Sequence, residues 1–194
     1  MAALQVVGTA FFLAVGLFVG CEGFGSGAPA GACTTIQPGH VDATNNSVSL
    51  SAQTSTSPYS IQAGATSYQA GGTVTVQIMG PVFRGFLLQA RRPGMTTPVG
   101  TFSNAPNNTK TTTCTTADSS MTHDNTEAKE NITLTWTAPS PGVGNVQFVA
   151  TVAQDHDTYW MNLASAEIAG GVAIKATCYV IVFSLISTAY SMLA

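Results

Sequence analysis

Three histidines, His40, His123 and His156, are the first places to look for acid–base or metal chemistry in this chain. Asp155-His156-Asp157 has the composition of a metal triplet, and His123-Asp124 adds a second pair. Neighbouring residues on a strand point to opposite faces, however, and no ligand pair has zinc-type spacing. The triplet therefore reads as a polar loop after a strand, with no metal expected. No Gly-x-Ser-x-Gly elbow, phosphate-cradling glycine loop or His-Glu-x-x-His pattern occurs, and no serine stands beside a base. The expectation is a protein with no catalytic residues and no cofactor.

Arg84, Arg91 and Arg92, with Lys110, form the only basic cluster. On a strand, Arg84 and Arg92 share a face and Arg91 opposes them, as solvated edge charges would. Tyr159-Trp160 has two readings, an aromatic ligand contact or a last strand packed on the core. The net charge of −3 offers no attraction for nucleic acid, which is not expected as a partner.

Hydrophobic residues make up 45% of the 194 residues, enough for one core. Charged residues are only 8%, against ~25% in an ordinary soluble domain. A surface of Thr, Ser, Asn and Gln suits an exported protein whose solubility comes partly from attached sugars. Three Asn-x-Ser/Thr sequons, at Asn45, Asn107 and Asn131, are candidate glycosylation sites. The apolar run from Val6 to Val19 is too short to span a bilayer and fits a signal peptide over residues 1–21, although no Lys or Arg precedes it.

At the other end, residues 176–194 carry no charge, and the nearest cation, Lys175, lies before them. The pattern matches a tail exchanged for a GPI lipid, with residues 162–175 as spacer and Ala164 or Ala169 as attachment candidates. That exchange would make a membrane a partner through the C-terminal anchor. A retained span and a buried helix are the alternatives. Trimming both ends removes Cys21 and Cys178 and leaves Cys33 and Cys114 to pair in an oxidising compartment, with two free buried thiols as the alternative.

Between the ends, Thr73 to Met79 alternates strictly, and Phe83 to Arg91 reads as a buried strand. Val48–Ala52, Tyr59–Ala63 and Val99–Phe102 are shorter candidates, and residues 104–130 read as long loops. Ile132, Leu134 and Trp136 share one face, as do Val146, Phe148, Ala150 and Val152; the two runs look like a hairpin. At least six short strands with glycine and proline turns, and no amphipathic helix, describe an all-β antiparallel sandwich.

Several motifs in order resemble the reelin (Reeler) domain family across residues 24–161. They are Gly27-Ala28-Pro29, Ala32-Cys33, Pro38-Gly39-His40, Phe83 to Arg91, Gly100-Thr101-Phe102, Cys114, Thr122-His123, Ile132 to Pro139 and Val146 to Val152. The resemblance implies an immunoglobulin-like sandwich used outside the cell, here in the stand-alone form similar to small secreted insect defence proteins. It implies a non-catalytic recognition or adhesion module for an extracellular glycan or protein ligand, in innate defence or matrix contact. Arg84, Arg91 and Arg92 become candidates for an anionic glycan on the same ground, since F-spondin-like members are associated with heparin-type glycans. The alternative it implies is an accessory or relic domain of a ferric-chelate reductase-like system.

Overall fold

Short alternating runs broken by glycine and proline become strands in the computed structural model, which describes residues 24–171. In chain order they are β1 (Ser60–Ala63), β2 (Ser67–Tyr68), β3 (Thr73–Met79), β4 (Gly85–Arg91), β5 (Thr101–Ser103), β6 (Thr109–Thr112), β7 (Ser120–His123), β8 (Ile132–Thr137), β9 (Gln147–Ala153), β10 (Tyr159–Ala164) and β11 (Ala169–Gly170). A four-stranded antiparallel sheet has the order β1-β3-β8-β5, and a five-stranded one β10-β9-β4-β7-β6. β11 pairs parallel with β2. Among the described residues no helix is long and apolar enough to cross a membrane.

The two large sheets bury their facing sides against each other. Val74, Val76 and Ile78 point inward from β3, Leu134 and Trp136 from β8, and Phe86, Leu88, Phe148, Ala150 and Val152 from the opposing sheet. Trp136 is fully buried and meets Tyr68 and Phe148 edge-on, with ring centroids 5.3 Å and 5.5 Å away. Its indole N–H donates to the Val99 carbonyl at 2.9 Å, so the ring is buried without an orphaned donor. Gly100 makes this approach possible: its φ is +70°, and a Cβ there would run into the Trp136 ring and the Thr137 carbonyl.

Three expectations from sequence need correction. Ile132–Trp136 and Val146–Val152 do become strands, but β8 and β9 belong to different sheets and form no hairpin. Residues 104–130 are not loop throughout: β6 and β7 pair antiparallel at the edge of the five-stranded sheet. Val48–Ala52 is no strand; Ser49 makes an isolated bridge to Val41. The signal segment 1–21 and the tail 176–194 lie outside the described residues. Part of the expected spacer, 162–175, is strand, since β10 runs to Ala164 and β11 covers Ala169–Gly170. Between them Ile168 is buried and exchanges backbone hydrogen bonds with Val146.

Candidate functional site

β4 is buried almost without a break because it is covered on both faces. Phe86, Leu88 and Ala90 enter the core, so Gly85, Leu87, Gln89 and Arg91 face the other way. There the segment 24–40 lies across the outer face of the sheet as a strap. Its Ala32 and Ile36 pack on Leu87 in a second small apolar cluster. The disulfide between Cys33 and Cys114 ties it to the chain after β6.

The strap has almost no regular structure, so the sheet must satisfy its backbone groups. Thr151 Oγ1 donates to the Ile36 carbonyl at 2.6 Å, and Thr122 Oγ1 accepts from the Ala28 N–H at 3.0 Å. Arg91, only 6% exposed, gives Nη2 to the Cys33 and Thr34 carbonyls at 2.9 Å and 3.1 Å. Its Nε donates to Gln89 Oε1 at 2.7 Å, and Gln89 Nε2 reaches the Cys33 carbonyl at 3.1 Å. Arg91 is thus buried beneath the strap with its guanidinium committed, which removes it from the surface cluster expected from sequence. Arg84 and Arg92 are exposed, and Lys110 pairs with Asp124 at 3.6 Å.

Toward the Gly85 end of β4 the strap leaves a cavity of about 250 Å³. Its floor includes Gly85, Leu87 and Ala153, and its roof Phe24, Ile36 and Pro38. Gly85 and Ala153 are register partners, and their small size makes the room: a Cβ on Gly85 would lie 3.5 Å from that of Ala153. All three histidines of the chain line this cavity, together with Arg84 and Asp155. They come from the strap, from β7 and from the turn after β9, separations that hide the grouping from any reading of local motifs.

The histidines do different things. His123 Nε2 lies 2.8 Å from the Phe24 carbonyl and its Nδ1 3.2 Å from the Phe86 N–H. This pairing suits a neutral ring protonated on Nε2, which pins the start of the strap. His40 stacks on His156, centroids 4.8 Å apart, and meets Tyr159 edge-on. His40 Nδ1 is buried and, among the described residues, has no hydrogen-bond partner. His156 turns its Nδ1 to the Asp157 carboxylate. Among the described residues no three potential ligands are grouped to hold a metal ion. Tyr159 and Trp160 are buried, Tyr159 donating to the Leu50 carbonyl at 2.6 Å and Trp160 to that of Ser55 at 3.2 Å, so this pair packs on the body of the domain.

Burial lowers the pKa of His123 and of His40. The folded protein therefore resists protons that the unfolded chain accepts near pH 6.5. Stability is complete above pH 6.5 and falls as the pH drops from there toward the lowered folded values, each histidine contributing at most about 1.4 kcal/mol per pH unit. Denaturant unfolding at pH 7.5 and 5.5 should show this loss, and His123→Gln should shrink it.

Comparison with known proteins places these features in a family. The model of the Reeler domain matches residues 31–173. Drosophila melanogaster "Defense protein l(2)34Fc" is 30% identical over 160 residues, covering 80% of this chain and 94% of that protein. Mus musculus "Ferric-chelate reductase 1" is 32% identical over 111 residues, covering 55% of this chain but 19% of that protein, so the match spans about a fifth of the reductase's length. The crystal structure of the human F-spondin reeler domain superposes with a TM-score of 0.52 at 20% identity, over 62% of this chain and 94% of that one, a likeness of fold.

Proposed function

This chain belongs to the Reeler domain family, and from that premise we propose that it is an extracellular recognition domain, non-catalytic, acting in defence, whose ligand enters the three-histidine cavity. The observation that carries this reading is the cavity itself: an apolar hollow between the sheet and a disulfide-tied strap, rimmed by a few polar groups. Its neighbouring hydroxyls and rings support binding rather than turnover. Thr122 and Thr151 donate to backbone carbonyls, and His123 has both nitrogens engaged with backbone. A defence role draws on the Drosophila relative, nearly all of whose length is matched.

The test is binding of the purified protein to bacterial surfaces and to extracted surface polysaccharides and lipids. Wild type is expected to bind, and Ala153→Leu, which puts three more carbons on the cavity floor, to lose binding while keeping its fold. Binding unaffected by Ala153→Leu but lost in an Arg84→Gln/Arg92→Gln variant would move the site to the exposed arginines and make the ligand an anionic glycan. A visible absorption band on titration with haem would favour the accessory role in a ferric-chelate reductase-like system.

Export and anchoring belong to the same proposal. Asn45, Asn107 and Asn131 are all exposed, as glycosylation requires. Of the two anchor candidates, attachment at Ala164 would remove buried Ile168 and Ser165, whose Oγ accepts from the Phe148 N–H at 3.1 Å. Ala169, exposed in β11, retains both residues and is the site we favour. Protein from secretory cells should shift in mass with N-glycosidase and be released from the surface by phosphatidylinositol-specific phospholipase C. Retention after the phospholipase would sink the GPI anchor.

A further inference from the structure

The polar groups around the cavity are unequal, and that inequality narrows the ligand. Arg84 sits next to β4, exposed at the rim, and among the described residues only one of its five N–H groups has a protein partner, Nη1 donating to the Thr126 carbonyl at 2.9 Å. Asp155, the carboxylate among the lining residues, already accepts from the N–H groups of Asp157 and Thr158 through Oδ1, at 3.0 Å and 2.8 Å. Among the described residues buried His40 Nδ1 has no hydrogen-bond partner. Behind these groups the walls are aliphatic and aromatic, and the cavity is about 250 Å³. At ~30 Å³ for a water-sized group, the space holds roughly eight methylenes.

We propose that the cavity binds a small anionic amphiphile, with a chain of about eight carbons between the Gly85–Ala153 floor and the Ile36–Pro38 roof, and a carboxylate or phosphate ester head on Arg84. Burying the chain supplies the affinity and the guanidinium supplies the choice of head group. A cationic head would meet Arg84 unfavourably, and a head without charge would leave it unpaired. This inference rests on the reading of the cavity as the ligand seat.

Calorimetric titration of the purified full-length protein tests it with octanoate, octyl phosphate, 1-octanol, octylammonium and acetate. At least one of the two anionic probes should bind tenfold or more tightly than octanol and octylammonium, and the stronger of the pair identifies the head group. Acetate, a head without a chain, should show no binding. Arg84→Gln should weaken the anionic probe about tenfold and leave octanol unchanged, and Ala153→Leu should abolish binding with its melting temperature kept. Octanol binding as tightly as both anions, with all three blocked by Ala153→Leu, would overturn the anionic head and spare the cavity. Anion binding that survives Ala153→Leu would overturn both. Absence of binding by every eight-carbon probe would overturn the amphiphile, leaving the bacterial-surface experiment to judge the seat.

Discussion

Replacing Cys33 and Cys114 together by serine is expected to cost about 4 to 5 kcal/mol, the chain entropy released by opening a loop with a sequence separation of 81 residues. In a domain of this size that corresponds to a fall in melting temperature of roughly 10–15 °C. The damage should not be spread evenly. The strap's own apolar contribution is small, resting on Ala32, Ile36 and their contacts with Leu87. Its remaining ties are scattered hydrogen bonds, worth about 1 kcal/mol net for the neutral ones and about 1.5–3 kcal/mol for the pair from Arg91. Without the disulfide the strap should open before the sandwich does. Hydrogen exchange would then show early loss of protection at Ala28 and Ile36, whose N–H groups bond Thr122 Oγ1 and the Ala32 carbonyl. Unchanged protection there in the double mutant would mean that the sheet's side chains hold the strap unaided.

Lys129→Met is the second large effect, expected near 3 kcal/mol in urea unfolding. Lys129 is 4% exposed and its ammonium donates to three carbonyls, of Arg84, Asn125 and Glu127, at 2.9 Å, 2.7 Å and 2.8 Å. Burial pushes its pKa down while nearby Glu127 opposes the shift. Methionine fills the same space but leaves those acceptors without their donor, and hydrogen bonds to a charged group are the stronger kind, about 1.5–3 kcal/mol each. Relief of the ammonium's desolvation offsets part of that loss. The turn held by Lys129 also presents the Thr126 carbonyl to Arg84, so affinity for the anionic probe should fall too. Lys129→Arg should not rescue either property, because a planar fork cannot aim three donors at converging carbonyls. Full rescue by arginine would show that charge alone matters at this position.

The strands that were legible in the sequence are those whose two faces have different fates. Thr73–Met79 alternates cleanly because one face meets the core and the other meets water, and β3 has those bounds. Phe83–Arg91 was legible as a buried strand, though regular pairing in β4 starts at Gly85 while Phe83 bridges to Lys129. Its lack of alternation has a cause that no local pattern contains: the strap covers the second face. β6 and β7 were hidden for another reason. Their buried side chains are largely hydroxyls, Thr109, Ser120 and Thr122, with Met121 the one large apolar residue. The two threonines enter the interior with partners brought to them, the Pro106 carbonyl to Thr109 Oγ1 at 2.6 Å and the Phe86 carbonyl to Thr122 Oγ1 at 2.7 Å, whereas Ser120 Oγ has none among the described residues.

By itself the sequence determined the all-β class and the large inward residues Trp136 and Phe148, and it made Cys33–Cys114 the expected pairing. Each of these follows from period, parity or composition, which are properties of the chain alone. Tertiary structure decided which strands share a sheet, since alternation tells a strand which face to bury but not which neighbour to pair with. It buried Arg91, whose opposition to Arg84 and Arg92 strand parity already showed, because the strap covers that face. It also brought His40, His123 and His156 to a single cavity, a meeting made by folding a distant N-terminal segment across β4. Cavities built from long-range contacts leave no local signature, and this one depends on the pairing of Gly85 with Ala153.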